Sequence, residues 1–160
     1  MTEGMQMNAM EAVGEDVRDF LSSAAEARLE YRRRRERADE LERRSRWVTG
    51  IAGGQIHRGG RGPEALWAAL ADERERELAA AGEELERYRQ VEELIGRLDK
   101  PIHRVVLRMR YLRYLTWRQV REQMEREGYR YEERQIFRLH TEAVKEARRL
   151  WEERVKTPVT

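Results

Sequence analysis

The side chains best suited to specific chemistry lie near the start of the last helical segment. Its outward positions hold Glu133, Arg134, Phe137, Arg138 and Thr141. Its inward positions are apolar, with Ile136, Leu139 and Ala143. Two arginines four residues apart share one helix face, from which both can reach guanine or phosphate, and an aromatic ring can pack on a thymine methyl. The pattern predicts a surface that contacts double-stranded DNA.

The distribution of charge favours the same segment. The formal net charge is only +2, but residues 101–160 carry 15 Lys/Arg against 9 Asp/Glu, whereas residues 64–99 carry 5 against 11. Such an asymmetry is typical of a chain in which one module meets a polyanion. The basic stretch 104–138 also contains Arg118 and Arg130, which complete the predicted DNA-binding set.

Catalytic and metal chemistry is not indicated in the chain. The absence of cysteine removes disulfides, thiolate nucleophiles and thiolate metal sites. The three histidines, His57, His103 and His140, have no carboxylate or second histidine at ligand spacing. No Ser-His-Asp pattern or isolated carboxylate pair stands out among the many surface acids. We therefore expect a protein that is not an enzyme and that needs no metal or cofactor.

Two other motifs have simpler explanations. Residues 54–59 match the first six positions of a phosphate-binding loop, but Gly60-Arg61 replaces the required Lys-Ser/Thr and no strand precedes it. We expect a hinge there, with contact of Arg58 and Arg61 to DNA as the alternative. The arginines at 32–35 circle their helix among acidic neighbours, which favours a solvated face with intrahelical ion pairs over a grip on phosphate.

Three short helical patterns must position the outward residues. The first has one apolar face, formed by Ile102, Val105, Val106, Met109 and Leu112. The second begins at Thr116, whose hydroxyl caps the helix while Gln119 reaches back, and it stops at Gly128. The third carries the outward residues described above. A short helix, a tight turn with glycine and a helix with a polar start are typical of a helix-turn-helix.

The composition of the whole chain indicates its structural class. Charged residues make up 40% of the chain and hydrophobic residues 39%, with a mean hydropathy of −0.96. Together with apolar residues at helical spacing, this favours long helices over a compact globule. No apolar run approaches the ~20 residues that a membrane span needs, and the acidic, Met-rich start does not resemble a signal peptide. We expect a soluble, intracellular, all-α protein.

The N-terminal half predicts a tail followed by a long helix. Residues 1–14 show no period and are expected to form a disordered tail. From Val17 to Val48, apolar residues recur at alternating spacings of three and four, interrupted at Arg34 and Ser45. Such a narrow stripe needs one partner helix.

A second long helix is predicted after a glycine-rich loop. The stretch 50–62 holds six of the eleven glycines and cannot continue a helix. Pro63 then suits the first helical position, and a second apolar seam follows as far as Leu98. Residues 15–98 therefore predict a long antiparallel helical hairpin, with Trp47 and Trp67 packed at its closed end.

The C-terminal unit resembles region 4 of bacterial sigma factors. The resemblance rests on residues 105–111, 115–120 and 131–140 and on Ala143-Val144, with "LRYL…TW" and "RQIFRLH" as its distinctive pieces. The chain is more similar still to small phage and prophage proteins of the ArpU and RinA type, which are late transcription regulators with a long helical segment before this domain. The clear resemblance covers residues 98–150.

The resemblance implies a fold and a DNA-facing surface. The fold is an all-α chain in which the hairpin precedes a three-helix, sigma-region-4-like helix-turn-helix domain at 99–156. The DNA-facing positions of the family fall on Glu133, Arg134, Phe137 and Arg138. Glu132 departs from the family, which usually has Ser or Thr there as the helix cap. Glutamate is a poorer cap than either residue.

The expected function is that of a sequence-specific DNA-binding regulator of transcription, of phage or prophage origin, in the cytoplasm of a bacterial host. One three-helix reader covers few base pairs, so we expect a homodimer formed through the long helices. No segment resembles the part of a sigma factor that melts promoters, and an accessory regulator that acts with the host RNA polymerase is therefore expected.

Two alternatives from other classes stay open at this point. The chain can be the DNA-recognition subunit of a phage packaging machine, in which a helix-turn-helix joins a helical oligomerisation stalk. It can also be a protein-interaction module that docks on RNA polymerase or on a host factor. A ring-forming stoichiometry favours the first alternative, and the absence of DNA binding at low salt favours the second.

Overall fold

The computed structural model describes residues 2–52 and 62–156, with side chains from 17–50 and 62–154. Within these ranges all regular structure is helical and no strand occurs, which confirms the prediction of an all-α chain. The helices are α1 (Thr2–Ala52), α2 (Pro63–Gly96), α3 (Pro101–Leu107), α4 (Trp117–Arg126) and α5 (Glu133–Lys156). Most of the predicted glycine-rich loop, residues 53–61, lies outside the described residues.

The long helices begin at sites that propensity explains. α1 begins at Thr2, so its helical backbone extends into the stretch 1–14 that the sequence predicts as a tail. Met, Glu and Ala, which are frequent in that stretch, are strong helix formers. α2 starts at Pro63, as the sequence predicts, and its first turn is closed by the Ala65 N–H, which donates to the Gly62 carbonyl at 3.0 Å.

The chain divides into two compact units. The terminal unit combines the residues up to Glu26 with those from Arg87 onward, and the middle unit comprises Ala27–Glu86. The terminal unit joins both ends of the chain because both long helices share apolar contacts with the C-terminal helix.

The larger core of the terminal unit joins α1, α2, α3 and α5. Its fully or almost fully buried members are Val17, Leu21, Ala24, Val91, Leu94, Ile95, Leu98, Leu107, Leu112, Ala143, Val144 and Ala147. At its edge the rings of Phe20 and Trp151 lie with centroids 4.2 Å apart, so α1 contacts the C-terminal half of α5. The apolar face of the second half of α5 is therefore occupied by this core.

A smaller core organises the helices that follow Pro101. Val106 and Met109, Val120 and Met124, and Ile136 bring together the segment after Pro101, α4 and α5. After α3 the backbone widens into a π-helical turn over Arg108–Leu112. Most of the apolar residues predicted for the three short helices meet in this core, but Leu112 and Ala143 lie in the larger core instead.

The middle unit is held by few apolar groups and several ion pairs. Leu41, Val48 and Leu70 form its one hydrophobic cluster among the described residues. Arg34 pairs with Glu77 at 3.1 Å, and Arg37 pairs with Glu73 at 2.9 Å. Earlier residues of α1 thus meet later residues of α2, so the two segments run antiparallel within this unit.

The two tryptophans of the middle unit are not enclosed as the sequence predicts. The side chain of Trp47 is 69% exposed and that of Trp67 is 51% exposed. The physical reason for Trp47 is its position next to Val48, which occupies the inward side of α1 and turns the neighbouring side chain about 100° away.

Candidate nucleic-acid interface

The start of α4 is fixed by the capping box that the sequence predicts. The Thr116 hydroxyl accepts the N–H of Gln119 at 3.3 Å, and the Gln119 side chain accepts the N–H of Thr116 at 2.9 Å. Thr116 has extended backbone angles, which suit a cap. Two amide groups that no helical carbonyl can reach are thereby satisfied.

The loop before α4 is tightly held despite an exposed ring. Tyr114 adopts a left-handed backbone, with φ of 54°, and its side chain is 76% exposed. The N–H of Leu115 donates to the Met109 carbonyl at 3.0 Å, and the Arg110 guanidinium donates to the Leu115 carbonyl at 2.8 Å. These bonds define how the chain enters α4.

The turn between α4 and α5 follows the predicted glycine stop. Gly128 has a φ of 94°, a left-handed conformation that suits glycine. The N–H of Tyr129 then donates to the Met124 carbonyl at 2.8 Å. The rings of Tyr129 and Tyr131 are stacked with centroids 6.4 Å apart, and both pack against the smaller core. The turn is therefore fixed by apolar contacts as well as by its glycine.

The start of α5 is capped from inside the helix. The Gln135 side chain accepts the N–H of Glu132 at 2.9 Å, which is half of a capping box. The Glu132 carbonyl accepts the N–H of Ile136 at 3.1 Å, as expected of the residue before a helix. The poor capping ability of the Glu132 side chain is thus offset in part. The Gln three residues after Glu132 is a sequence signal that the cap prediction overlooked.

The predicted DNA-facing residues of α5 share one exposed surface. Glu133, Arg134 and Arg138 are exposed, and Phe137 keeps 41% of its side-chain area accessible. Ile136, between them in sequence, is buried in the smaller core with 1% exposure. The helical spacing places inward and outward residues as the sequence predicts. This arrangement presents two guanidinium groups, one carboxylate and one ring from the first two turns of α5.

Trp117 links α4 to this surface. Its ring meets Phe137 edge-on at 5.0 Å between centroids and meets His140 edge-on at 4.8 Å. The Arg110 guanidinium lies over the same ring, 4.5 Å from its centroid. Trp117 therefore supports the exposed face of Phe137 from below and holds a cation above the start of α4.

His140 is a neutral side chain at neutral pH. Burial, with the positive charges of Arg18 and Arg110, lowers the pKa of His140 to about 4. Its Nε2 lies 2.8 Å from the hydroxyl of Tyr111, so the neutral ring and the phenol share a hydrogen bond. Burial also raises the pKa of Tyr111, so the phenol keeps its proton. The pair is a hydrogen-bonded support beneath the candidate surface and carries no charge.

Two shallow grooves beside α4 gather further basic side chains. Arg118, Arg121 and Glu133 line one of them together with Trp117. The other brings Arg130 beside Arg121, next to acidic groups of the turn, Glu125, Glu132 and Glu133. Arg118 is 85% exposed and lies 3.3 Å from Glu122 of its own helix. Both predicted arginines outside α5 therefore border the same surface.

Arg121 is a member of this surface that sequence reasoning missed. It is exposed and lines both grooves, between the two predicted arginines. Its position four residues after Trp117 places it on the same side of α4, and that spacing is the signal that was available. Arg121 belongs with the predicted six in any account of the surface.

A second interaction that the sequence did not reveal joins α3 to α5. His103 is 4% exposed, and its Nδ1 lies 2.7 Å from a carboxylate oxygen of Glu146. Burial opposes the charge of this carboxylate, but hydrogen bonds from His103 and from the N–H of Asp99 hold the pKa of Glu146 below its ordinary value. The two residues are 43 positions apart, so spacing along the chain gave no sign of them.

The described residues offer no group of three or more His, Cys, Asp or Glu side chains suited to a metal ion. Among those residues there is also no helix that is both long enough and apolar enough to cross a membrane.

Comparison with known proteins identifies no relative of this chain. No protein-family model matches the chain. No curated protein and no solved structure is significantly similar to it.

Proposed function

We propose that this chain is a sequence-specific DNA-binding regulator of transcription, of phage or prophage origin, and not an enzyme. In this proposal α4 and α5 act as a helix-turn-helix that follows a long helical hairpin, and α5 reads the major groove. Two copies act together on DNA, with the host RNA polymerase as a further partner. The resemblance to sigma region 4 described above supplies the class of partner.

The observation that carries the proposal is the division of the first turns of α5 into two faces. Ile136 anchors α5 in the smaller core, while Arg134, Phe137 and Arg138 remain on the exposed side. A helix anchored in this way can present its first turns to base edges without unfolding any part of its own core. Exposed arginines are suited to paired hydrogen bonds with guanine.

The chemistry of the surface gives each group a distinct role. Arg118, Arg121 and Arg130 surround the start of α4 and the turn, where they supply contacts to phosphate. Arg134 and Arg138 supply contacts to guanine or to phosphate from α5. Phe137 supplies an apolar contact of the kind that a thymine methyl accepts.

The carboxylates of the turn restrict what the surface can bind. Glu132 and Glu133 repel nearby phosphate. A hydrogen-bond donor on a base edge can offset this repulsion. An acceptor at Glu133 matches the exocyclic amino group of cytosine. We therefore assign Glu133 a part in selectivity beside Arg134, Phe137 and Arg138. The arginines around α4 and the turn provide affinity.

The proposal is tested by binding of the full chain to duplex DNA fragments in a salt series. Wild-type protein is expected to show a steep fall of affinity with salt, because each neutralised phosphate releases counterions. The Arg134→Ala/Arg138→Ala double variant is expected to bind at least about tenfold more weakly, a loss of about 1.4 kcal/mol or more. Fluorescence anisotropy with a labelled fragment measures both quantities.

A matched control removes two exposed arginines elsewhere. Arg87→Ala/Arg97→Ala takes the same charge from the end of α2 and the residue that follows it, at two exposed positions outside both proposed surfaces. This variant is expected to keep wild-type affinity and salt dependence. Equal losses for the two double variants would show that binding follows net charge alone, and undetectable binding of the wild type at low salt would refute the proposal.

A further inference from the structure

α2 of the middle unit carries an apolar stripe beside its contact with α1. Trp67, Ala71, Leu78 and Leu85 follow one another at spacings of four and seven residues, which keeps them on one side of the helix. Trp67 is 51% exposed, and the other three are half-buried. A two-helix unit cannot enclose this side, because each helix has only one partner.

The stripe continues into a groove between the two helices of this unit. Its volume is about 360 Å³, and it is lined on α2 by Trp67, Leu70, Ala71 and Arg74 and on α1 by Leu41, Glu42, Ser45, Arg46 and Thr49. The Nε of Arg74 is buried there without a hydrogen-bond partner. A groove with an apolar wall on α2, a mostly polar wall on α1 and an unsatisfied donor is a surface that a further amphipathic helix can cover.

The charges of the middle unit point to one occupant. Residues 27–50 of α1 carry nine arginines against five acids, and residues 63–86 of α2 carry eight acids against two arginines. Within one copy, only the facing sides of these helices neutralise each other, as in the Arg34–Glu77 pair. A second copy presents an acidic helix to the basic one and a basic helix to the acidic one at the same time. This is the self-complementarity that a twofold interface requires.

We propose that the groove side of the middle unit binds the same side of a second copy. The four helices then form an antiparallel bundle in which each α1 lies beside the partner's α2. Trp67 and Ala71 of both copies fill the two grooves, and the half-buried leucines at 78 and 85 lose their remaining contact with water. The inference rests on the proposed function, which requires two DNA-reading domains to act together. It adds the surface that joins the two copies.

The test is the mass of the full chain in solution, measured without DNA by sedimentation equilibrium. Wild-type protein is expected at twice the chain mass of 19.2 kDa. Ala71→Arg places a long charged side chain in the groove and keeps a strong helix former, so it is expected to weaken dimerisation at least about tenfold. Ala79→Arg adds the same side chain at an exposed position of α2 and is expected to remain dimeric.

The outcomes separate this inference from the function. Far-UV circular dichroism checks that both variants keep wild-type helicity. Because charge complementarity contributes, the wild-type dimer is also expected to weaken as salt rises. A monomeric wild type would overturn the inference, and so would a dimer that Ala71→Arg leaves intact or a ring of more than two copies. A monomer that binds DNA sequence-specifically would overturn the dimer surface alone, and a dimer that fails to bind DNA would overturn the function alone.

Discussion

The ring of Phe137 on α5 meets the ring of Trp117 on α4 edge-on, with centroids 5.0 Å apart and planes inclined by 77°. Phe137 is held by this contact although 41% of its side chain stays exposed. A side chain that is fixed before binding loses little conformational entropy when a partner arrives. The pair thus connects the capped start of α4 to the surface that we propose for DNA.

The two rings are expected to differ in what they contribute to stability. Phe137→Ala removes an exposed ring and should lower the free energy of unfolding by about 1 kcal/mol. Trp117→Ala also removes the contacts with Arg110 and His140 and should cost about 2–3 kcal/mol. Urea denaturation followed by far-UV circular dichroism measures both. A loss for Phe137→Ala as large as that for Trp117→Ala would contradict this ranking.

The capping box of α4 predicts a graded response at one position. Thr116→Ala removes the acceptor for the Gln119 N–H and should cost about 1 kcal/mol of unfolding free energy. Thr116→Ser keeps a hydroxyl and should stay within about 0.5 kcal/mol of the wild type. Thermal or urea unfolding of the three proteins checks the order, and an alanine variant as stable as the serine variant would be inconsistent with a working cap.

Local features of the fold were predictable from the sequence because short-range physics determines them. The Thr116 cap, the Gly128 stop and the inward position of Ile136 all follow from a few neighbouring residues. The all-α class follows from apolar residues at helical spacing throughout the chain. Of the candidate surface, the exposed positions on α5 were predictable for the same reason.

Features that depend on packing between distant segments were not predictable. Leu21 is fully buried although it lies outside the predicted seam, because α1 contacts α5 as well as α2. The bond between His103 and Glu146 depends on how α3 lies against α5. In each case the missing information is the arrangement of whole helices.

The lowered pKa of His140 predicts a loss of stability in mild acid. Its pKa is about 4 in the folded chain against an ordinary 6.5, so between these values the unfolded chain takes up a proton that the folded chain does not. Unfolding free energy should therefore fall as pH decreases from about 6.5 to 4, by on the order of 1 kcal/mol for this half-buried group. Urea titrations at several pH values measure the slope.

A His140→Gln variant is the control for that slope. Glutamine can still form a hydrogen bond with the Tyr111 hydroxyl but does not titrate, so the fall between pH 6.5 and 4 should be smaller than in the wild type. The remaining slope reports the other titrating groups, which both proteins share. Identical curves for the two proteins would mean that His140 does not carry the effect.

Glu146 should contribute more to stability than Glu142, because it is the less exposed of the two carboxylates beside His103. Glu146→Gln removes the charge that accepts from Nδ1 at 2.7 Å and should cost about 1–3 kcal/mol of unfolding free energy. Glu142 lies 3.6 Å from Nε2 and is 49% exposed, so Glu142→Gln should change stability by less than about 0.5 kcal/mol. Guanidinium chloride unfolding at pH 7 compares them, and a reversed order would exclude Glu146 as the main partner.

The central claim, that the first turns of α5 read duplex DNA, is tested most directly by selection of binding sites from a pool of random duplexes. The full chain is expected to enrich a defined site with at least one guanine, and Arg134→Ala or Arg138→Ala should relax the preference at a single position of it by about 1–3 kcal/mol. The Arg87→Ala/Arg97→Ala control should select the wild-type site. A pool that stays random after selection with the wild-type chain, or a site that neither α5 variant changes, would contradict the claim.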